Sequence, residues 1–243
     1  MKITSKRILG FWHYGIILTY VSLTLSVCGI CLSTARVPRP DMGVLLLLLA
    51  GLCDGFDGTI AKTRKHRTLD DISFGVQIDS LCDLVAFGIA PVMIGVGMGY
   101  TRWYYVIVYS FFVLCGLVRL AYFNVKEINK VMGVADTQSP AFKPGYTGMP
   151  ITSIAISLPV FYLAATMLSP QVTSAAVADV VSPVIMMFCY FLSGILFIAK
   201  FQMPKFRVKG LVVMIVVMTV LVISMCLVRY YVCGVPLFQG PLK

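Results

Sequence analysis

The chain has 243 residues, 59% of them hydrophobic and only 12% charged, with a formal net charge of +10. That apolar fraction excludes an ordinary soluble domain, and the length favours one compact unit over two. The charge alone would suit nucleic acid, but fourteen of the twenty Lys and Arg fall in four places, Lys2 to Arg7, Lys62 to Arg67, Lys126 to Lys143 and Lys200 to Lys209. Clusters between apolar runs are what a membrane protein carries in its loops, so no nucleic-acid partner is expected.

Apolar runs of bilayer-spanning length, roughly 20 residues each, predict helices over 14–34, 43–62, 73–97, 103–123, 150–168, 183–199 and 210–230. A sheet is not expected, because the runs do not alternate and lipid-facing backbone must satisfy its own hydrogen bonds. The basic start, Met1 to Arg7, resembles the head of a signal peptide. The apolar run behind it is too long, however, and lacks a small-residue cleavage site, so a retained first helix is expected. Within that helix, Cys28 and Cys31 are spaced as C-x-x-C, but no second pair or His cluster accompanies them. The eight cysteines therefore read as small buried thiols.

With seven spans, all four basic places fall on one side, which the positive-inside bias makes cytoplasmic. The N-terminus is then inside and the C-terminus outside. Such flanks also attract anionic lipid headgroups. The longest polar stretch, Asn124 to Thr147, is expected to be a mobile loop. The predicted fold is an all-α polytopic membrane bundle of about seven transmembrane helices, a single domain over 1–243 in the cell membrane.

Four of the ten acidic residues, Asp54, Asp57, Asp79 and Asp83, sit where lipid-facing helices should carry none. Asp54 and Asp57 share one helical face near the end of the second span, with Gly58 and Ala61 continuing the stripe. Asp79 and Asp83 share a face near the start of the third, with Gly75 one turn earlier. Both pairs fall at the cytoplasmic ends of adjacent helices. A carboxylate inside a span costs about 2.5 kcal/mol or more unless it is paired, metal-bound or facing water. Four together point to a pocket of hard oxygen ligands for two divalent cations, Mg²⁺ or Mn²⁺, an arrangement suited to phosphoryl transfer. The small residues beside them leave room for a bulky ligand.

These residues resemble the signature of the CDP-alcohol phosphotransferase family, D-x-x-D-G-x-x-A-R followed by G-x-x-x-D-x-x-x-D. Here it runs Asp54-Gly-Phe-Asp57-Gly58-Thr-Ile-Ala61-Lys62, then Gly75-Val-Gln-Ile-Asp79-Ser-Leu-Cys-Asp83. Lys62 replaces the usual Arg, and the link to Gly75 is longer than usual; Arg64 is the neighbouring residue with a guanidinium fork. Phe74 to Pro91, Arg119 to Asn124 and Gly148 to Ser153 resemble the phosphatidylserine synthase branch. The likeness covers about 15–200, leaving an extra C-terminal helix at about 210–230.

The resemblance implies a phosphatidyl group moved from CDP-diacylglycerol to L-serine, with CMP released, at a site facing the cytoplasm. It implies that Asp54, Asp57, Asp79 and Asp83 hold the metals, that Asp83 also serves as general base, and that Gly58, Ala61, Lys62 and Gly75 cradle the CDP moiety. It further implies a homodimer. Serine carries a carboxylate, so a cation is needed beside the diphosphate. Arg119 fits through its planar fork, with Lys143 as a second candidate and Gln77 or Ser80 placed to orient the amine or hydroxyl. Sibling enzymes using glycerol phosphate, inositol phosphate or an archaeal-type ether-lipid donor would share the metal motif. An ion-coupled transporter is the reading from another class, but transporters typically show internal repeats and midplane sites, and neither is evident.

Overall fold

The structure, a computed structural model, describes residues 16–61, 69–131, 146–168, 175–203 and 208–233. These residues form seven helical rods. The first two, α1 (Ile17–Ser33) and α2 (Pro40–Ala61), make a hairpin whose turn is closed by the Arg39 N–H on the Leu32 carbonyl, 2.9 Å. Pro40 opens α2, where its missing N–H costs nothing, and Asp41 in the first turn suits the positive end of the helix dipole.

The third rod spans Leu69–Gly97 and is composite. It begins as α3 (Leu69–Asp83), widens into a π-helical segment (Leu84–Ile89) and resumes as α4 (Ala90–Gly97). Pro91 stands just after the π segment, and its ring and missing N–H disturb the turn before it. Local widening of this kind is one way a membrane helix accommodates proline. The widening begins one residue after Asp83, so the acid-bearing face of α3 stays regular.

The fourth rod, α5 (Trp103–Val131), is followed by a two-residue strand, β1 (Tyr146–Thr147), and a short 3₁₀ turn (Ile151–Ser153) leading into α6 (Ile154–Leu168). Then come α7 (Ala175–Ile198), β2 (Gln202–Met203) and α8 (Val208–Cys233). β1 pairs antiparallel with β2, Tyr146 opposite Met203, and so ties the entry of α6 to the exit of α7. Four stretches, Leu69–Gly97, Trp103–Asn129, Ile151–Leu168 and Val180–Ile198, are long and apolar enough to cross a bilayer. The chain is a multi-pass helical membrane protein.

Two regions hold the bundle together away from the acids. In the core, Tyr190 of α7 is fully buried and donates its hydroxyl to the Pro91 carbonyl, 2.6 Å, with Tyr109 edge-on at 5.2 Å between ring centroids. Near the α1–α2 turn three helices meet at minimal separation. A Cβ added to Gly43 would come within 2.0 Å of Ser33 Oγ and 3.0 Å of Ile94. Small residues permit that approach, and in lipid close packing is a main source of helix association.

Two expectations need correction. α5 runs on to Val131, so Asn124 to Val131 belongs to the helix and not to a loop. That segment contains no Gly or Pro and includes Lys126, Glu127 and Lys130, good helix formers. Cys28 and Cys31 are exposed on α1, not buried; the face α1 buries carries Thr19, Ser22, Ser26, Gly29 and Ser33. Small and hydroxylated residues are what lets α1 lie close to α2.

The junction yields a stability prediction. Gly43→Leu should overpack the contact and lower stability by about 1–3 kcal/mol, read as a lower melting temperature in detergent. Gly75→Ala, where an added Cβ meets nothing within 4 Å, should melt like the parent.

Candidate active site

The acids meet at one end of the bundle. Asp54, from the last turns of α2, and Asp79 and Asp83, from α3, each present a carboxylate oxygen, and these oxygens all lie within 4.8 Å of one another. Helical periodicity explains the α3 half, since Val76, Asp79, Ser80 and Asp83 recur at three and four residues and line a common cavity. The cavity has a volume of about 290 Å³. Its far wall is one face of α5, with Arg119, Phe123, Asn124 and Glu127, and its end is closed by Pro150, Ile151 and Thr152 at the entry to α6.

The wall is built by polar ties between elements. Ser80 of α3 donates to the Asn124 side-chain oxygen of α5. Arg119 is buried, only 6% exposed. Its Nη1 donates to the Phe197 carbonyl at 3.1 Å and its Nη2 to the Gly148 carbonyl at 3.5 Å, while the guanidinium lies 4.6 Å from the centroid of Phe123. Arg119 therefore lines the cavity and also clamps α5 to the start of α6 and the end of α7. Gly148 adopts φ +73°, and a Cβ there would approach the Ala199 carbonyl at 2.7 Å and Arg119 Nη1 at 2.9 Å. The turn that brings Pro150 to Thr152 into the cavity thus depends on glycine at this position.

Of the residues singled out from sequence, the cavity gathers Asp54, Asp79, Asp83, Ser80 and Arg119. Gln77 is exposed and is not among the lining residues. Gly75 lies on α3 with open space where a side chain would be. Asp57, Gly58 and Ala61 continue α2 beyond Asp54, with only their backbone described. Lys62, Arg64 and Lys143 lie outside the described residues. Sequence reasoning missed Phe123, Asn124, Glu127 and Thr152 as individual site residues. Two of the stretches likened to the serine branch contain Phe123, Asn124 and Thr152; Glu127 was hidden because its segment read as loop.

The donor set suits a hard divalent cation: carboxylate oxygens from two helices, close enough to share an ion, with no sulfur or imidazole among the described members.

Comparison with known proteins follows the same lines. A Saccharomyces cerevisiae protein named CDP-diacylglycerol–serine O-phosphatidyltransferase is 38% identical over 117 residues, covering 47% of this chain and 40% of the relative. A Methanothermobacter thermautotrophicus protein named archaetidylserine synthase is 32% identical over 145 residues, 59% of this chain and 52% of the relative. A Helicobacter pylori protein, also named CDP-diacylglycerol–serine O-phosphatidyltransferase, is 31% identical over 118 residues, 47% of this chain and 43% of the relative. The chain thus spans about half the length of these relatives or less. No solved structure matches it. The family model for CDP-alcohol phosphatidyltransferases matches residues 12–195, which include every lining residue of the cavity. On that match over most of its length, the chain belongs to the CDP-alcohol phosphatidyltransferase family.

Proposed function

We propose that this chain transfers a phosphatidyl group from CDP-diacylglycerol to L-serine, releasing CMP and forming phosphatidylserine. The observation that carries the reading is that relatives from a yeast, a bacterium and an archaeon share serine in their names. The cavity supports it, since a buried Arg faces carboxylates across a space of about 290 Å³. The archaeal relative favours one second reading, the same acceptor with an ether-lipid donor.

Asp54, Asp79 and Asp83, joined by Asp57 one turn along α2, would hold Mg²⁺ or Mn²⁺. A cation held there would supply the positive charge that a diphosphate needs as its bridging P–O bond breaks. In the transfer, the serine hydroxyl oxygen bonds to the phosphorus that carries diacylglycerol. The bond from that phosphorus to the CMP oxygen breaks, CMP leaves with the electron pair, and the hydroxyl proton passes to the Asp83 carboxylate. Gly75 supports a ligand beside α3, because none of the described residues occupies the space that the missing side chain leaves. Gly58, Ala61, Lys62 and Arg64 belong to the CDP side of this proposal. Ser80, tied to Asn124, and Arg119 form the acceptor side, with Lys143 held in reserve there.

The proposal includes seven crossings, the N-terminus and the cavity on the cytoplasmic side, and a homodimer of single-domain chains. The basic clusters support the orientation. Trp103 and Tyr104, exposed at the opposite end of α5 from Glu127, suit a membrane interface on either side.

Two outcomes are expected with the full chain in lipid. Asp79→Asn should lower serine-dependent CMP release by at least about a hundredfold with unchanged melting, and excess chelator should abolish it in the parent. Substantial turnover in either case contradicts the metal assignment. Arg119→Lys loses the planar fork and should raise the KM for serine strongly while barely moving that for CDP-diacylglycerol. A shift in the lipid constant instead places Arg119 on the diphosphate.

A further inference from the structure

Gly51 marks a point where four elements of the bundle converge. It lies on α2, three residues before Asp54. A Cβ added there would collide with the Cβ of Ala155 on α6, and would lie 3.4 Å from Met218 Cε of α8 and 3.8 Å from the Phe87 ring. Phe87 is fully buried in the π segment, four residues past Asp83. Both acid-bearing rods therefore meet at this junction, each about one turn from an acid. Ala155 follows closely on Pro150, Ile151 and Thr152, the turn that closes the end of the cavity.

The collision has no soft solution. The Ala155 Cβ is fixed to the backbone and has no rotamer to turn away, so a side chain at position 51 must part α2 from α6. Reaching ordinary carbon–carbon contact takes roughly an ångström. On α8, Met218, Leu221, Met225 and Val228 form a buried seam at three- and four-residue spacing, and the helix packs against both α6 and α2. α8 lies beyond the family-matched residues 12–195, so this chain braces the junction with an element of its own.

We infer that Gly51 is a positioning residue of the cation site: its missing side chain lets α2 sit close enough to α6 and to the Phe87 turn for Asp54 to reach Asp79 and Asp83. The inference rests on the cation reading above and deepens it. Ligand distances at a metal hold to within about 0.2 Å. An ångström of retreat by α2 therefore takes Asp54 out of a shared site while Asp79 and Asp83 stay in place on α3. No charge is added or removed at position 51, so the loss is one of geometry.

The test uses the full chain in lipid nanodiscs, with Mn²⁺ binding followed by water-proton relaxation and folding by melting. Gly51→Ala should weaken Mn²⁺ binding about tenfold or more, the scale seen when residues that support metal ligands are changed. Exchanging the two side chains, Gly51→Ala together with Ala155→Gly, conserves the volume at the contact and should recover most of the affinity. A folded Gly51→Ala that binds Mn²⁺ like the parent overturns the inference. So does a folded exchange variant that binds as weakly as the single one. Should Gly51→Ala fail to fold, the exchange variant decides: parent-like binding supports the inference, and weak binding or failure to fold overturns it. A parent chain that binds no Mn²⁺ overturns the cation reading itself.

Discussion

Everything at the functional end of this bundle depends on holding three carboxylates within 4.8 Å of one another among apolar helices. Each such charge is unfavourable in a membrane span, by about 2.5 kcal/mol or more, and like charges at that distance repel one another as well. The fold meets the demand with rigid supports for the acid-bearing helices. Asp54 is carried on α2, which packs along α1 through small and hydroxylated residues. Asp79 and Asp83 occupy the regular part of a composite rod, with the π widening placed after them near Pro91. A hard divalent cation is the partner that would convert this unfavourable cluster into a favourable one.

Arg119 shows how the opposite wall answers. The buried Arg119 guanidinium lines the cavity and donates to the carbonyls of Gly148 and Phe197. Those bonds fix the entry of α6 and the exit of α7, where β1 and β2 also pair. The residue that gives the cavity its positive side is therefore also the one that locks three helices around it. Changes there will couple substrate affinity to the shape of the wall.

Much of this was legible in the sequence, for identifiable reasons. Membrane spans follow from the length of apolar runs, a local property. The acid cluster follows from charges standing where lipid penalises them, combined with helical spacing for Asp79 and Asp83. What was not legible depends on contacts between distant segments. Nothing local to Arg119 announces carbonyls 29 and 78 residues away, and nothing near Pro91 announces the Tyr190 hydroxyl. The continuation of α5 was missed for a different reason. Asn124 to Val131 is polar enough to look like loop by hydropathy, although its residues favour helix, and that misreading concealed Glu127 and the polar end of the cavity wall. The thiols of Cys28 and Cys31 were misplaced because residue type says little about which face of a helix looks outward.

The central claim is that these carboxylates form a divalent-cation site, and direct binding tests it without reference to turnover. Mn²⁺ titrated into the full chain in lipid nanodiscs, followed by electron paramagnetic resonance, should give a bound signal at micromolar to millimolar metal, a range on the order of that for exposed carboxylate sites. That signal should be lost in Asp54→Asn and in Asp83→Asn, each still folded by its melting curve. Binding that is unchanged in both variants, or absent from the parent, would contradict the account.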